Sequence, residues 1–171
     1  MIVLETGIIQ LREMTRDDLE DLHSIFSDPI TMQYYPKPFD RQMTIDWIDK
    51  NINRYQQHGF GLWAVIHTGD KRLIGDCGLT YQNVDGIDEL EIGYHIMRSY
   101  WGKGLATLGA IACRDYAFDN LKKERVISWI NPENTASRRV ADKVGMHLEK
   151  ETIDNDGRMA VVYSMRSKDR D

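Results

Sequence analysis

The stretch Ile92-Gly-Tyr-His-Ile-Met-Arg-Ser-Tyr-Trp-Gly-Lys-Gly-Leu-Ala-Thr107 decides the fold, because it joins a strand, a glycine turn and the start of a helix. Residues 90–97 alternate between two kinds of side chain, which is typical of a strand with unlike faces. Apolar residues recur at helical spacing after the turn, at Leu105, Leu108, Ile111, Ala112 and Tyr116. A glycine turn that opens a helix offers free backbone N–H groups and the positive end of the helix dipole, which suit a phosphate. A plain tight turn is the alternative.

Two common phosphate-binding motifs do not match this stretch. A Walker loop requires Gly-x-x-x-x-Gly-Lys-[Ser/Thr], but Gly104 follows Lys103 here and Met97 stands where the first glycine belongs. A dinucleotide fingerprint requires Gly-x-Gly-x-x-Gly, and Thr107 replaces its last glycine. Both motifs are therefore excluded on their residues.

The composition predicts an ordinary globular protein with one domain, residues 1–171. The net charge of −5 argues against a general nucleic-acid binder, which usually carries a basic surplus. No apolar run approaches the ~20 residues of a membrane span, and the first residues do not resemble a signal peptide. We therefore expect no membrane association and a cytoplasmic location.

Neither the cysteines nor the histidines form a metal-binding pattern. Cys77 and Cys113 are distant in sequence and flanked by apolar residues, which favours buried free thiols. The five histidines lack the His-x-x-x-His spacing. We therefore expect no metal.

The remaining elements are predicted from periodicity and from breakers. The Pro-rich aromatic segment Tyr34-Tyr-Pro-Lys-Pro-Phe39 forbids a helix and is expected to be a loop. We expect a first strand within residues 2–13, helices over 15–28, 43–59, 105–120 and 134–144, strands over 60–67, 72–80, 89–97 and 124–130, a closing hairpin of 147–153 with 158–165, and a frayed polar tail at 167–171. This order predicts a mixed α+β fold.

Two motifs resemble those of the GNAT acetyltransferases. The segment Trp101-Gly-Lys-Gly104-Leu-Ala106 resembles the family's [Gln/Arg]-x-x-Gly-x-[Gly/Ala] loop, with Trp101 in place of Gln or Arg, and its Tyr-Trp-Gly-Lys-Gly form is typical of the RimJ/RimL-like branch. The segment Asn131-Pro-Glu-Asn134-Thr-Ala-Ser137-Arg-Arg-Val-Ala-Asp-Lys143-Val-Gly145-Met146 resembles that branch's Asn-x-x-Ser…Lys-x-Gly-Phe segment. The resemblance implies the GNAT acyl-CoA N-acyltransferase fold, a mostly antiparallel twisted sheet flanked by helices.

The resemblance also implies an acyl-CoA donor and the residues that hold it. The loop that binds the pyrophosphate of CoA is expected to comprise Trp101, Gly102, Lys103, Gly104, Leu105, Ala106 and Thr107. The backbone of Tyr94, His95 and Ile96 is expected to pair with the pantetheine arm like an added strand. Asn134 and Ser137 are expected at the pantetheine arm, although both are also ordinary helix-capping residues. Arg138 and Arg139 are candidates for the 3′-phosphate, although surface solvation is the simpler interpretation. The resemblance implies that the aromatic loop and the following helix wall the acceptor site; packing of these aromatics between helix and sheet is the alternative.

The catalytic residues are less clear from sequence. The resemblance implies that Ser137 lies near the sulfur and protonates the departing thiolate, with a helix cap or a cofactor contact as the alternative. Many GNAT proteins use a Tyr seven residues after the Asn for this task, and Ala141 excludes a Tyr in that role here. Glu91 is the candidate general base, with Glu89 and His95 on the same strand face as alternatives; a solvated strand face is the plainer interpretation. Leu108 and Gly109 replace the branch's usual Glu-Ala, which puts the contacts of the first helical turn in doubt.

The sequence therefore predicts an acetyl-CoA-dependent N-acetyltransferase that acts by direct attack of a primary amine, either a protein N-terminus or a small molecule. A non-catalytic acyl-CoA-binding or regulatory domain of the same fold is the alternative. A nucleotide-binding protein is a more distant one. A homodimer is possible on this sequence.

Overall fold

The structure is a computed structural model that describes residues 1–170, in which one sheet carries helices on both faces. The strands are β1 (Ile2–Glu5), β2 (Ile9–Arg12), β3 (Leu62–His67), β4 (Arg72–Val84), β5 (Ile87–Ile96), β6 (Arg125–Ile130), β7 (His147–Ile153) and β8 (Met159–Arg166). The helices are α1 (Leu19–Phe26), α2 (Arg41–His58), α3 (Leu105–Asp119) and α4 (Thr135–Val144).

The sheet has the order β1-β2-β3-β4-β5-β6-β8-β7 and splits in its middle. Neighbouring strands are antiparallel except β5 and β6, which run parallel and meet in register at Glu91 and Ile127 within the described part of the chain. Beyond that pair the two strands diverge. The predicted mixed α+β, mostly antiparallel fold is confirmed, and the divergence positions the site described below.

Each face of the sheet has its own apolar core. Trp63 and its neighbours on one face pack with α3 and α4, whereas Leu62 and Ala64 on the other face pack with residues of α1 and α2 such as Phe26 and Ile48. Because β3 is covered on both faces, it is a continuous apolar run rather than an alternating one.

The β4–β5 hairpin is longer than the sequence suggested. The two strands stay paired up to Val84 and Ile87, so the turn contains Asp85 and Gly86. Both residues have positive φ, 51° and 86° respectively, as a two-residue hairpin turn of the primed type requires. The long hairpin carries β5 as a rigid strand towards the glycine turn.

Both termini differ from their predictions. The expected first strand is a hairpin of β1 and β2, because a turn containing Gly7 (φ 84°) divides the segment. The expected frayed tail is ordered as a 3₁₀ turn over Ser167–Asp169, and Arg170 pairs with Asp119 at 2.7 Å. The prediction for Asp171 lies outside the described residues.

Candidate active site

The divergence of β5 from β6 opens a cavity of about 910 Å³. Of the expected cofactor-binding residues and the main catalytic candidates, all except Lys103 line this cavity, whereas the further candidates Glu89 and Arg138 do not. The Lys103 side chain is exposed, and its Nζ lies 5.0 Å from the centroid of the Tyr100 ring. The two motifs, which are separated by about thirty residues in the sequence, thus meet at one cavity.

The glycine turn has a backbone conformation that residues with L side chains rarely adopt. Gly102 and Gly104 have φ of 76° and 74°, and Gly104 is the N-cap of α3. A Cβ at either position would meet no atom within 4 Å, so the space in front of the turn is open. The turn therefore presents the N-terminal N–H groups of α3 to the cavity with nothing in front of them.

The edge of β5 that faces the divergence carries free backbone groups. The carbonyls of Ile92 and Ile96 accept hydrogen bonds on the β6 side from the Ser128 hydroxyl (3.1 Å) and the Trp101 indole (2.7 Å). Because strand backbones alternate in direction, the N–H and C=O of Tyr94 also point to that side, where β6 no longer pairs. By the same alternation the His95 backbone points towards β4, so the predicted pairing of its backbone with a cofactor loses its support.

Helix α4 begins with the second motif at the opposite wall. Asn134 caps the helix by accepting the Ser137 N–H at 3.1 Å, which is the capping role that the residue types also suggested. The Ser137 hydroxyl lies 2.7 Å from the Tyr94 hydroxyl, and burial raises the pKa of Tyr94. The sequence placed Tyr94 by its backbone alone and missed this side-chain contact.

Glu91 lies at the point where the sheet splits, and its strand face is not a solvated one. Its carboxylate accepts the Trp129 N–H at 3.2 Å and the Gln82 side chain at 3.4 Å. Burial raises the pKa of Glu91 from its ordinary value of 4.5 to about 7, while the Trp129 N–H, Gln82 and the charges of Arg54 and His95 oppose the rise. Glu91 therefore changes protonation near neutral pH.

His95 belongs to a hydrogen-bonded chain that sequence reasoning missed. Its Nδ1 lies 2.7 Å from Asp76 Oδ1 and its Nε2 lies 2.6 Å from the Tyr35 hydroxyl, while the Trp47 indole donates to Asp76 Oδ2 at 2.9 Å. The exposed fraction of Asp76 is 0%. The sequence did contain an indication of this hydrogen-bonded group, because Asp76 is a lone carboxylate inside the apolar run Leu73-Ile-Gly-Asp-Cys-Gly-Leu79.

The predicted aromatic wall is present on the side of the cavity away from the glycine turn. Tyr34, Tyr35 and Trp47 line it, together with the turn between β7 and β8. Arg158 joins the two parts, because its guanidinium donates to the Tyr34 carbonyl at 2.9 Å and pairs with Asp154 at 3.2 Å.

The two candidate arginines for the 3′-phosphate differ in position. Arg138 is held against the Tyr163 hydroxyl and the Pro132 carbonyl, both at 3.0 Å, and does not line the cavity. Arg139 lines the cavity and is exposed. Arg139 is therefore the better placed of the two.

Other features of the sequence are also resolved by the structure. Cys77 and Cys113 are buried free thiols, as expected, but their sulfurs lie 3.7 Å apart between β4 and α3. Within residues 1–170, no group of three or more metal-ligating side chains comes together. No helix of the described chain has the length and apolarity needed to cross a membrane.

Comparison with known proteins identifies the family. The acetyltransferase (GNAT) domain model matches residues 9–147. The uncharacterized protein YkkB of Bacillus subtilis is 35% identical over 165 residues, which cover 96% of this chain and 95% of YkkB. The structure of a GNAT-family acetyltransferase from Bacillus anthracis superposes with a TM-score of 0.82 at 28% identity, covering 98% of this chain and 99% of that one.

A more distant likeness extends the fold comparison. The ribosomal L7/L12 α-N-protein acetyltransferase RimL, in complex with coenzyme A, has a TM-score of 0.78 at 17% identity and covers 99% of this chain and 100% of its own. Such low identity shows a shared fold alone. The family model and the YkkB match carry the assignment, and the chain therefore belongs to the GNAT family of N-acetyltransferases.

Proposed function

We propose that this protein transfers an acetyl group from acetyl-CoA to a primary amine by direct attack of the amine on the thioester. One observation carries the proposal: a single cavity contains the open glycine turn at one end and, where the sheet splits, a half-buried carboxylate whose pKa is about 7. The first feature suits a pyrophosphate, and the second suits removal of a proton from an amine. The shared fold with RimL, whose structure contains coenzyme A, supports an acyl-CoA as the donor and a RimJ/RimL-like enzyme.

In this proposal, acetyl-CoA lies along the edge of β5 that faces the divergence. The pyrophosphate binds the N–H groups at the start of α3, and the pantetheine arm pairs with the free backbone of Tyr94. From the glycine turn the arm passes Ile96 before Tyr94, so the thioester carbonyl lies beyond Ile96 towards the split, where a backbone N–H of β5 polarises it. Arg139 and Lys143, which line the cavity from α4, supply positive charge for phosphates.

Glu91 is the proposed general base. An ammonium has no lone pair, so it must lose a proton before it attacks. An α-amine, with a pKa of ~7.7–8.0, lies within about one pH unit of Glu91, whereas a lysine amine at ~10.4 lies several units higher. The match favours an N-terminal α-amine or a small-molecule amine of similar basicity as the acceptor.

Ser137 is proposed to serve the departing thiolate. Its hydroxyl lies beside the pantetheine path, and the Tyr94 hydroxyl at 2.7 Å can donate to it. Ser137 can then direct its own proton at the sulfur while its oxygen accepts from Tyr94. In this proposal the Ser137–Tyr94 pair performs the task that a tyrosine on α4 performs in many GNAT proteins. The position of that tyrosine is taken here by Ala141, which is buried and apolar.

The test is amine-dependent release of free CoA thiol from acetyl-CoA, with peptides bearing free N-termini, amino acids and spermidine as acceptors. Turnover that rises through about pH 7 in the wild type, and that Glu91→Gln lowers by about 10²-fold while acetyl-CoA binding persists, is the expected result. Folded protein that binds acetyl-CoA and acetylates none of these amines contradicts the proposal and favours a non-catalytic acyl-CoA-binding role. Succinyl-CoA run in parallel tests the choice of acyl group.

A further inference from the structure

Acetylation of an ammonium requires the removal of two protons from one nitrogen. The nitrogen starts as R–NH₃⁺ and ends as an amide with one N–H, while the sulfur takes up one proton and solvent takes up the other. Glu91 can hold one proton at a time. A site that performs the proposed reaction is therefore helped by a second proton acceptor that reaches the same nitrogen.

The hydrogen bonds that link Asp76, His95 and Tyr35 run in the direction that such a proton acceptor needs. The Trp47 indole is a donor only, so Asp76 Oδ2 must accept its N–H. The other carboxylate oxygen, as an acceptor, fixes the proton of His95 on Nδ1. Nε2 is then an acceptor for the Tyr35 O–H, and the lone pairs of the Tyr35 oxygen remain available to the cavity.

The surrounding packing fixes this chain in place. The His95 ring lies edge-on to Phe26 (5.3 Å between centroids) and Trp47 (6.0 Å), and Tyr35 covers it at 5.2 Å. The exposed fraction of the His95 side chain is 9%, and that of the Asp76 side chain is 0%. His95 also lines the cavity, but the Tyr35 hydroxyl occupies the Nε2 lone pair, so a proton that leaves the acceptor reaches His95 through the Tyr35 hydroxyl.

We propose that Tyr35, His95 and Asp76 form a proton relay that accepts the second proton of the acceptor nitrogen. The proposal rests on the proposed amine acetylation and assigns it a residue that contacts the substrate, Tyr35, and two that act through it. This path is separate from Glu91, which takes the first proton.

The step balances without any further reactant. After attack, the N⁺–H bond of the tetrahedral adduct breaks and its proton moves to the Tyr35 oxygen, while the Tyr35 proton moves to His95 Nε2. The imidazolium so formed pairs with the Asp76 carboxylate in a site of low exposure, where opposite charges attract strongly. Tyr35 is neutral before and after the transfer. When the amide has left, the proton returns through Tyr35 to water in the cavity.

The environment of Tyr35 supports transfer through the hydroxyl rather than storage on it. Burial raises the pKa of Tyr35, and the charges of Asp76 and Glu91 add to the rise, so the tyrosinate is disfavoured. The charged groups that act on Tyr35 from the elements packed around it are Asp76 on β4, Glu91 on β5, and Asp156 and Arg158 at the β7–β8 turn. Arg54 on α2 acts on Asp76 and Glu91.

The first test uses ¹⁵N NMR of the full chain labelled at histidine and needs no acceptor. The proposal expects neutral His95 as the Nδ1–H tautomer, with a Nε2 resonance that changes in Tyr35→Phe because its donor is lost. An Nε2–H tautomer would mean that His95 donates to Tyr35, which reverses the polarity and overturns the relay.

The second test is kinetic and separates the relay from Glu91. Tyr35→Phe and His95→Gln are expected to lower kcat by about 10²-fold, to leave the KM for acetyl-CoA unchanged and to keep the rise in rate near pH 7 that belongs to Glu91. Glu91→Gln is expected to remove that rise. Tyr116→Phe, a half-buried tyrosine that packs against Trp63 outside the cavity, is the matched control with unchanged kcat.

The outcomes distinguish the relay from the function on which it rests. Wild-type turnover of amines with a kcat that both Tyr35→Phe and His95→Gln retain to within twofold overturns the relay and leaves the proposed function intact. Absence of amine turnover by the wild type overturns the proposed function, and the relay with it. Asp76→Asn is informative only if the variant folds, so the isosteric Tyr35→Phe change carries the decision.

Discussion

The two ends of the cavity are built in different ways. The donor end, formed by the β5 edge, the glycine turn at 101–107 and the start of α4, offers mainly backbone groups held by positive φ and by capping. The acceptor end, formed by the 34–39 loop, α2 and the β7–β8 turn, offers side chains brought from distant parts of the chain. A backbone site tolerates changes in side-chain chemistry but not in backbone conformation, whereas a side-chain site has the opposite sensitivity. Four predictions test this contrast.

The largest effect is expected at Gly104 in the donor end. Gly104→Ala puts a methyl group at φ 74° into the open space before α3, and we expect acetyl-CoA affinity to fall by about 10²-fold, or about 2.7 kcal/mol. Gly7→Ala is the matched control, because Gly7 has a φ of 84° and equally open surroundings far from the cavity. Both variants should lose about 1–2 kcal/mol in the free energy of unfolding. Equal acetyl-CoA binding by both in calorimetry would contradict the role of the turn.

Glu91 is expected to make the protein less stable as the pH rises. The folded carboxyl binds its proton more tightly than the unfolded one, so the free energy of unfolding falls between about pH 4.5 and pH 7. We expect Glu91→Gln to remove a component on the order of 1–3 kcal/mol from this fall, measured by denaturant unfolding at pH 5 and pH 8. Glu89→Gln on the same strand face is the control and should keep the fall. A pH dependence that Glu91→Gln leaves unchanged would place its pKa near the ordinary value.

Removal of the Ser137 or Tyr94 hydroxyl is expected to have a smaller effect, because these side chains lie at the donor end, where backbone groups make most of the contacts. Ser137→Ala and Tyr94→Phe should each lower kcat by about tenfold. The double variant should be little worse than either, because both act through one hydrogen bond of 2.7 Å. Ser24→Ala, at an exposed position that does not line the cavity, should retain full kcat. Fully additive losses in the double-mutant cycle would mean that the two hydroxyls act independently.

The smallest effect is expected at Lys103, although it lies within the motif. Its side chain is exposed and does not line the cavity, so Lys103→Ala should change the Kd for acetyl-CoA by less than twofold. Arg139→Ala, which removes a charge that lines the cavity, should raise the Kd by about fivefold and more at low salt than at high salt. Titrations at two salt concentrations check the pair, and a larger loss at Lys103 would reverse the assignment.

The same contrast explains what the sequence could predict. The donor end is made of consecutive residues whose types are forced by backbone conformation, so Gly102, Gly104 and Asn134 leave a local pattern. The acceptor end brings Tyr35 to within 2.6 Å of His95, sixty residues away, and no local pattern records such a distance. Helices and strands were predictable because their periodicity is local.

The remaining discrepancies have similar causes. The divided first strand depended on one glycine turn, and the order of the tail depended on ion pairs of Arg170 with a distant helix. Asp76 was the one distant residue with a local signal, because a carboxylate inside an apolar strand requires buried partners. Following that signal would have suggested a partner but could not have named His95 and Trp47.

The sparse registration of β5 with β6 has a thermodynamic consequence for the whole chain. The sheet behaves as two plates, β1–β5 and β6–β8–β7, that share the pair Glu91 and Ile127 along their seam. A molecule that bonds along the free edge of β5 and also contacts α4 spans that seam and acts as a missing strand. Its binding then adds RT ln(1 + [L]/Kd) to the free energy of unfolding, so the melting temperature of this protein reports the concentration of such a ligand.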